Sequence, residues 1–108
     1  MSDWQVFDLA DVEGALSGED VQYIEFLKVP TLSCGFYHLA AGSKDMQTPH
    51  DDDEAYYVIR GKAKIRLGEK EREIGPGMVL YVGATEEHSF FEIEEDMDLL
   101  VFFSMSQG

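Results

Sequence analysis

The chain has 108 residues, of which 44% are hydrophobic and only three are prolines, and this is the size of one domain with one core. Eight lysines and arginines against 22 aspartates and glutamates leave a net charge of −14. Because such a charge repels phosphate backbones and anionic headgroups, nucleic acid and membrane surfaces are excluded as partners.

The first 20 residues contain six acids and neither a basic start nor a long apolar run, so no signal peptide or membrane span is expected. Cys34 is the only cysteine and cannot form an intrachain disulfide, which fits a cytoplasmic protein. Residues 4–18 suit either a short helical turn or an edge strand. We expect residues 1–20 to form an extension packed on or extending a β-barrel domain of residues 21–108.

From residue 21 onward the chain predicts short β-strands, because β-branched and aromatic residues recur there with a period of two. The predicted strands cover residues 21–29, 34–40, 55–60, 63–67, 78–82, 88–93 and 98–105. Turn-prone segments separate them, including residues 68–71, 74–77, 83–87 and 94–96. Strands without intervening helices indicate an all-β fold, either an antiparallel sandwich or a barrel.

The predicted strand 63–67 alternates basic with apolar residues, so Lys64 and Arg66 should face solvent. Glu71 and Glu73 follow across a predicted turn. Pairs between these bases and acids would fix the strand register, although each exposed contact adds little stability.

Two of the three histidines, His50 and His88, stand near the starts of predicted strands among polar residues. A metal site in a β-barrel needs side chains from several strands to converge at one end, and imidazole and carboxylate are suitable donors. His50 and Glu54 form one such pair in the sequence.

The residues around this pair follow a fixed spacing. Gly42 is followed by five residues, Thr48, Pro49, His50, three aspartates, Glu54, six residues and Gly61. This spacing resembles the first motif of the cupin superfamily, which reads glycine, five residues, histidine, one residue, histidine, three or four residues, glutamate, six residues and glycine. Thr48 stands in the place of the first histidine.

A second motif of that family is matched more loosely. Gly77 and His88 are kept, whereas Gly83, Thr85 and Glu92 stand where the family has proline, glycine and asparagine. The 15 residues between the motifs, 62–76, are typical of small single-domain cupins of the conserved-barrel type. The resemblance covers residues 32–104 and implies one double-stranded β-helix, or jelly-roll barrel.

The resemblance also implies a function. In the family the motif histidines and glutamate bind a divalent metal, which here assigns His50, Glu54 and His88 as ligands. Two imidazoles and one carboxylate suit Fe(II) and leave positions for substrate and dioxygen, and Zn(II), Mn(II) and Ni(II) also fit. Gln47, Thr48 or water fills the position of the missing histidine, and Gln47 is either a ligand or a partner of loop backbone.

Other polar residues near the motifs have two interpretations each. Residues 51–53 are a solvated acidic tract or alternative oxygen donors, with Asp52 in phase with His50 and Glu54. His38 is a hydrogen-bonded core or pocket residue. Tyr56 should share the Glu54 face, opposite Tyr57, and either donates a hydrogen bond as a catalytic group or packs in the barrel.

Three functions follow from this set. The first is an Fe(II) dioxygenase acting on a small organic substrate. The second is a metal-dependent isomerase or lyase in which Tyr56 or a loop acid moves a proton, and the third is a non-catalytic module that binds a small molecule. A homodimer is expected, packed through residues 26–29 or 99–103.

Overall fold

The computed structural model describes residues 4–45 and 51–105. One helix precedes six strands that form a single antiparallel sheet, as the all-β prediction requires. The elements are α1 (Leu9–Gly14), β1 (Val21–Val29), β2 (Leu32–Leu39), β3 (Glu54–Leu67), β4 (Lys70–Ile74), β5 (Val79–Val82) and β6 (His88–Ser104). Within the described residues, no helix is both long enough and apolar enough to cross a membrane.

Helix α1 resolves the two interpretations of residues 4–18 in favour of a helical turn. It begins after Asp8, whose carboxylate accepts a hydrogen bond from the Ala10 amide at 3.0 Å, and such a cap satisfies a backbone donor that the helix leaves unpaired. Val12 is buried. Glu13 contacts Arg60 of β3 at 2.7 Å, so side-chain contacts link the helix to the sheet.

The sheet has the order β1-β2-β6-β3-β4, and β5 also pairs with β3. β3 and β6 are its long central strands, with 14 and 17 residues. The amino-terminal half of β3 pairs with β5 and its carboxyl-terminal half with β4. The sheet therefore has two layers: β1, β2, β5 and the adjoining halves of β3 and β6 form the first layer, and β4 with the other halves forms the second.

The two layers are joined where β3 and β6 bend at Gly61. The register between the strands shifts on both sides of this residue, and its φ is +101°. The sequence predicted two strands in place of each long one, 55–60 with 63–67 and 88–93 with 98–105. The interruption in the pattern marks a bend within a continuous strand, because irregular residues can re-aim a strand without ending its pairing.

Apolar side chains from both layers form one core. Tyr56 and Val58 from one half of β3, and Ala63 and Ile65 from the other, belong to the same buried cluster. Burying the Val58 and Ile65 side chains contributes roughly 1.5–3 kcal/mol each. β3 therefore wraps around a single interior and closes it as a jelly-roll barrel, with Lys64 and Arg66 directed outward.

Strand β4 was missed by the sequence analysis, which placed turns at residues 68–71 and 74–77. Its residues are mostly charged, and only Ile74 is buried, so β4 lacks an apolar pattern. Its register does place Glu71 opposite Arg66 and Glu73 opposite Lys64. Arg66 contacts Glu71 at 2.7 Å, whereas Lys64 contacts Glu92 of β6 at 2.9 Å instead.

Candidate metal centre

Glu54 and His88 begin the two long strands and meet inside the barrel. In the β3–β6 ladder they stand at opposite ends, since Glu54 pairs with Phe103 and His88 pairs with Leu67. A straight strand would hold Glu54 and Leu67 roughly 43 Å apart at 3.3 Å per residue. The bend brings the two ends together, so that Glu54 Oε1 lies 2.8 Å from His88 Nε2.

This pair is enclosed by protein, with side chains only 2% and 1% exposed for Glu54 and His88. His88 Nδ1 lies 3.0 Å from the carbonyl oxygen of Glu86, which can only accept, so Nδ1 carries a proton. Burial lowers the pKa of His88, but the hydrogen bonds to Glu54 and to Glu86, and the charges of Glu54 and Asp45, outweigh it and raise the pKa. The imidazole thus presents Nε2 to the carboxylate.

The second carboxylate oxygen of Glu54 provides a test of whether the site suits a cation. Among the described residues, Oε2 is the one buried side-chain oxygen or nitrogen without a hydrogen-bond partner, and such groups call for an explanation by water or an ion. A histidine that donates its other nitrogen to a carbonyl is also the usual arrangement of a metal ligand. Carboxylate and imidazole together therefore fit a divalent ion.

Two of the predicted ligands cannot be placed in this geometry. His50 and Gln47 lie outside the described residues, as does Thr48. In the ranges 4–45 and 51–105, no group of three or more His, Cys, Asp or Glu side chains is arranged to hold a metal ion. The described part of the chain thus contributes the pair Glu54 and His88.

Tyr56 lies beside this pair. Its hydroxyl is 2.9 Å from His88 Nε2, and its ring packs edge-on against Phe90 with centroids 5.1 Å apart. Tyr56 is fully buried, while Tyr57 on the opposite face is 40% exposed, as strand alternation predicts. The Tyr56 hydroxyl therefore lies within hydrogen-bond distance of the imidazole nitrogen that faces Glu54.

Three polar residues at the same end of the barrel were not predicted from the sequence: Tyr23, Glu25 and Ser33. Ser33 donates a hydrogen bond to Glu25 at 2.6 Å, and the Tyr23 ring lies over Gly35, where an added Cβ would come 2.1 Å from the Tyr23 hydroxyl. Burial, then the charge of Glu25, raises the pKa of Tyr23 to about 12, and Glu54 contributes to this. Their spacing matches no motif, so only the fold brings them together.

His38 does not line the interior, which corrects its interpretation as a pocket residue. It pairs with Asp98 in the register of β2 and β6, whereas Tyr37 and Leu39 on either side belong to the core. Its Nδ1 lies 2.6 Å from Asp98 Oδ1 on the outer face. Arg60 donates to the other Asp98 oxygen at 2.5 Å, so His38 belongs to a hydrogen-bonded network outside the barrel.

The acidic tract before β3 contributes a structural contact. Asp53 Oδ1 accepts a hydrogen bond from the Ala84 amide at 2.8 Å. This contact joins the loop that precedes Glu54 to the loop that precedes His88. Asp53 therefore stabilises the relative position of the two strand starts.

Two residues on either side of His88, Thr85 in the preceding loop and Glu92 within β6, have a left-handed backbone. Thr85, at the position where the cupin motif has glycine, has φ 64°, and Glu92, where the motif has asparagine, has φ 47°. Glycine and asparagine adopt this conformation readily, but a β-branched residue rarely does. Thr85 and Glu92 thus hold a left-handed backbone that glycine or asparagine would adopt with less strain.

Comparisons with known proteins identify the family and the fold. A family model described as a cupin domain matches residues 35–104, and the chain belongs to this family. An uncharacterized protein of Streptomyces coelicolor is 39% identical over 100 residues, which are 93% of this chain and 95% of the relative.

Solved structures show the same fold. A protein of unknown function from Rhizobium leguminosarum superimposes with a TM-score of 0.82 at 18% identity, covering 97% of this chain and 100% of that one. A putative mannose-6-phosphate isomerase from Ralstonia eutropha has a TM-score of 0.76 at 21% identity, covering 94% and 99%. At these identities the likeness is one of fold.

Proposed function

We propose that this cupin binds one divalent metal ion through Glu54, His88 and His50, with Gln47 as a candidate further ligand. The observation that carries the proposal is the buried contact of 2.8 Å between Glu54 and His88, together with the unpartnered Glu54 Oε2. A carboxylate and an imidazole held this way supply two of the three donors of a facial triad, and His50 supplies the third.

Metal binding is tested by titrating the metal-free protein with Co(II) and Zn(II) and measuring stoichiometry and Kd. We expect one ion per chain, and we expect Glu54→Gln to weaken binding by more than the roughly 10–100-fold typical of outer-shell changes. Glu94→Gln is the matched control, because Glu94 is exposed on the outside of β6, where it pairs with Lys62 at 3.7 Å. A folded wild-type protein that binds no ion, or equal affinities for the wild type and Glu54→Gln, would contradict the proposal.

For the reaction, we propose an Fe(II) dioxygenase acting on a small organic molecule. When bound, the metal supplies a redox centre with positions open to substrate and dioxygen. The protein contributes a site shielded from water and a hydroxyl, that of Tyr56, which can hydrogen-bond a ligand. Anaerobic loading with Fe(II), followed by oxygen-uptake assays over a panel of metabolites, tests this reaction, and background rates for every compound count against it.

A second candidate is a metal-dependent isomerase or lyase, favoured by the position of Tyr56. Its buried hydroxyl, 2.9 Å from His88 Nε2, is suited to hold or move a proton at that point, which is the task of a general acid or base. This reaction needs no oxygen, so activity that persists with Zn(II) and is lost in Tyr56→Phe would identify it. A non-catalytic binding module instead predicts that His50→Ala leaves ligand binding unchanged.

A further inference from the structure

The carboxylate of Asp45 joins two parts of the barrel next to the proposed metal centre. Its Oδ1 accepts a hydrogen bond from the Tyr37 hydroxyl at 2.7 Å, and its Oδ2 accepts one from the Phe90 amide at 2.9 Å. Tyr37 pairs with Leu99 in the first layer, and Phe90 pairs with Ile65 in the second. One half-buried side chain thus bridges the two layers.

This bridge lies beside His88, one of the two predicted histidine ligands. Asp45 precedes His50 by five positions, and Phe90 follows His88 by two on the same face of β6. The contact therefore ties Asp45, which precedes His50 in the sequence, to the strand that carries His88.

We propose that Asp45 is a positioning residue for the metal centre, holding Tyr37 of β2 and Phe90 of β6 together next to His88. The inference rests on the proposed metal binding. An ionised carboxylate is suited to this task, because it accepts both hydrogen bonds at once and such charge-assisted bonds are stronger than neutral ones. Its negative charge also favours a cation nearby.

The test compares Asp45→Ala and Asp45→Asn with the wild type for Co(II) affinity and for the visible spectrum of bound Co(II). Outer-shell residues that orient ligands typically change metal affinity by about 10–100-fold. We expect a loss in this range for Asp45→Ala and a smaller one for Asp45→Asn, which keeps the shape and one acceptor oxygen. A changed Co(II) spectrum in Asp45→Ala would show altered ligand geometry, which a general loss of stability does not produce.

Asp8→Ala is the matched control. Asp8 also accepts a backbone hydrogen bond, at 3.0 Å from Ala10, but it does so at the start of α1. We expect this variant to lose stability, as Asp45→Ala does, while its Kd for Co(II) stays within twofold of the wild type. If Asp45→Ala is folded and keeps both the wild-type Kd and the wild-type spectrum, the proposal is overturned.

A measurement on the metal-free protein separates this inference from the proposed function. The rings of Tyr56 and His88 lie 6.0 Å apart, centroid to centroid, and their contact is observable by nuclear Overhauser spectroscopy. We expect the contact to persist in Asp8→Ala and to weaken in Asp45→Ala, whether or not the wild type binds metal. Wild-type protein that binds no metal refutes the proposed function, whereas an unchanged ring contact in Asp45→Ala refutes the role of Asp45.

Discussion

Gly61 of β3 lies directly against the backbone of Met97 on β6. A Cβ built at Gly61 would come within 2.5 Å of the Met97 Cα and of the Asp96 carbonyl oxygen. With its φ of +101°, the position excludes side chains on both steric and conformational grounds. This close approach lets the two long strands bend together.

Gly61→Ala should therefore be strongly destabilising. Strain at such a φ and overpacking each typically amount to about 1–3 kcal/mol, so we expect a loss of roughly 3 kcal/mol in the free energy of unfolding, measured in urea. Gly75→Ala is the control, because nothing lies within 4 Å of its added Cβ and its φ is not positive. A loss no larger than that of Gly75→Ala would show that the bend tolerates a side chain.

Thr85→Gly should stabilise the protein. Thr85 has φ 64°, a conformation that disfavours an L residue by about 1–2 kcal/mol, and glycine removes this strain at some entropic expense in the unfolded chain. We expect a net gain of about 0.5–1 kcal/mol in the free energy of unfolding. In Thr31→Gly, where the backbone is not left-handed, the same change should destabilise, and a gain at both positions would argue against backbone strain.

Cys34 should make stability depend on alkaline pH. Burial raises the pKa of its thiol from 9.0 to about 11, so the native state holds this proton more tightly than the unfolded state. Its contribution is complete below pH 9 and is lost as the pH rises toward 11, and it amounts to roughly 2–3 kcal/mol. Urea unfolding from pH 8 to 11 should show this decline in the wild type and a shallower one in Cys34→Ala.

The two acids that Arg60 contacts should respond differently to substitution. Asp98 is buried and Glu13 is partly exposed. Asp98→Asn removes the buried carboxylate that His38 shares with the half-exposed Arg60, and it should cost about 2 kcal/mol, as the loss of a hydrogen bond to a charged group does. Glu13→Gln should cost less than about 1 kcal/mol, and equal losses in thermal or urea unfolding would contradict this ranking.

We propose that the chain forms a homodimer through the outer face of the first layer. Val79 and Tyr81 of β5 are 71% and 68% exposed, and Phe102 is partly exposed on the same face, because both Tyr81 and Phe102 pair with Ala55. Light scattering should give twice the chain mass of 12.2 kDa. Tyr81→Lys should shift the mass toward one chain, and a wild-type mass of 12.2 kDa would refute the proposal.

The sequence predicted which side chains of a strand are buried and which are exposed, because this depends on the alternation of apolar and polar residues. Tyr56 and Ile65 lie in the core and Arg66 outside, because side chains of a strand alternate between buried and solvent-facing sides. Strand β4 escaped prediction because its charged residues make contacts only on the surface. The bend at Gly61 could not be predicted either, because a glycine within a strand pattern indicates either a turn or a bulge in a continuous strand.

The sequence predicted the site residues that belong to a motif. It did not predict the residues that only a long-range contact brings to the site. The cupin spacing identified Glu54 and His88, and the structure brings these two side chains together. Asp45 stands at a position that the motif leaves unspecified, and its partners Tyr37 and Phe90 are 8 and 45 positions away. Only the folded chain shows that these three residues meet.

Because Glu54 and His88 begin two strands that pair with each other, the alignment of one ladder sets the distance between them. A slip of β3 against β6 by two residues would leave every inward side chain inward. It would nevertheless displace the carboxylate from the imidazole by roughly 7 Å. The alternation of buried and exposed side chains therefore does not distinguish these alignments, whereas the close approach of Gly61 to Met97 and an ion held by both side chains would each favour the native one.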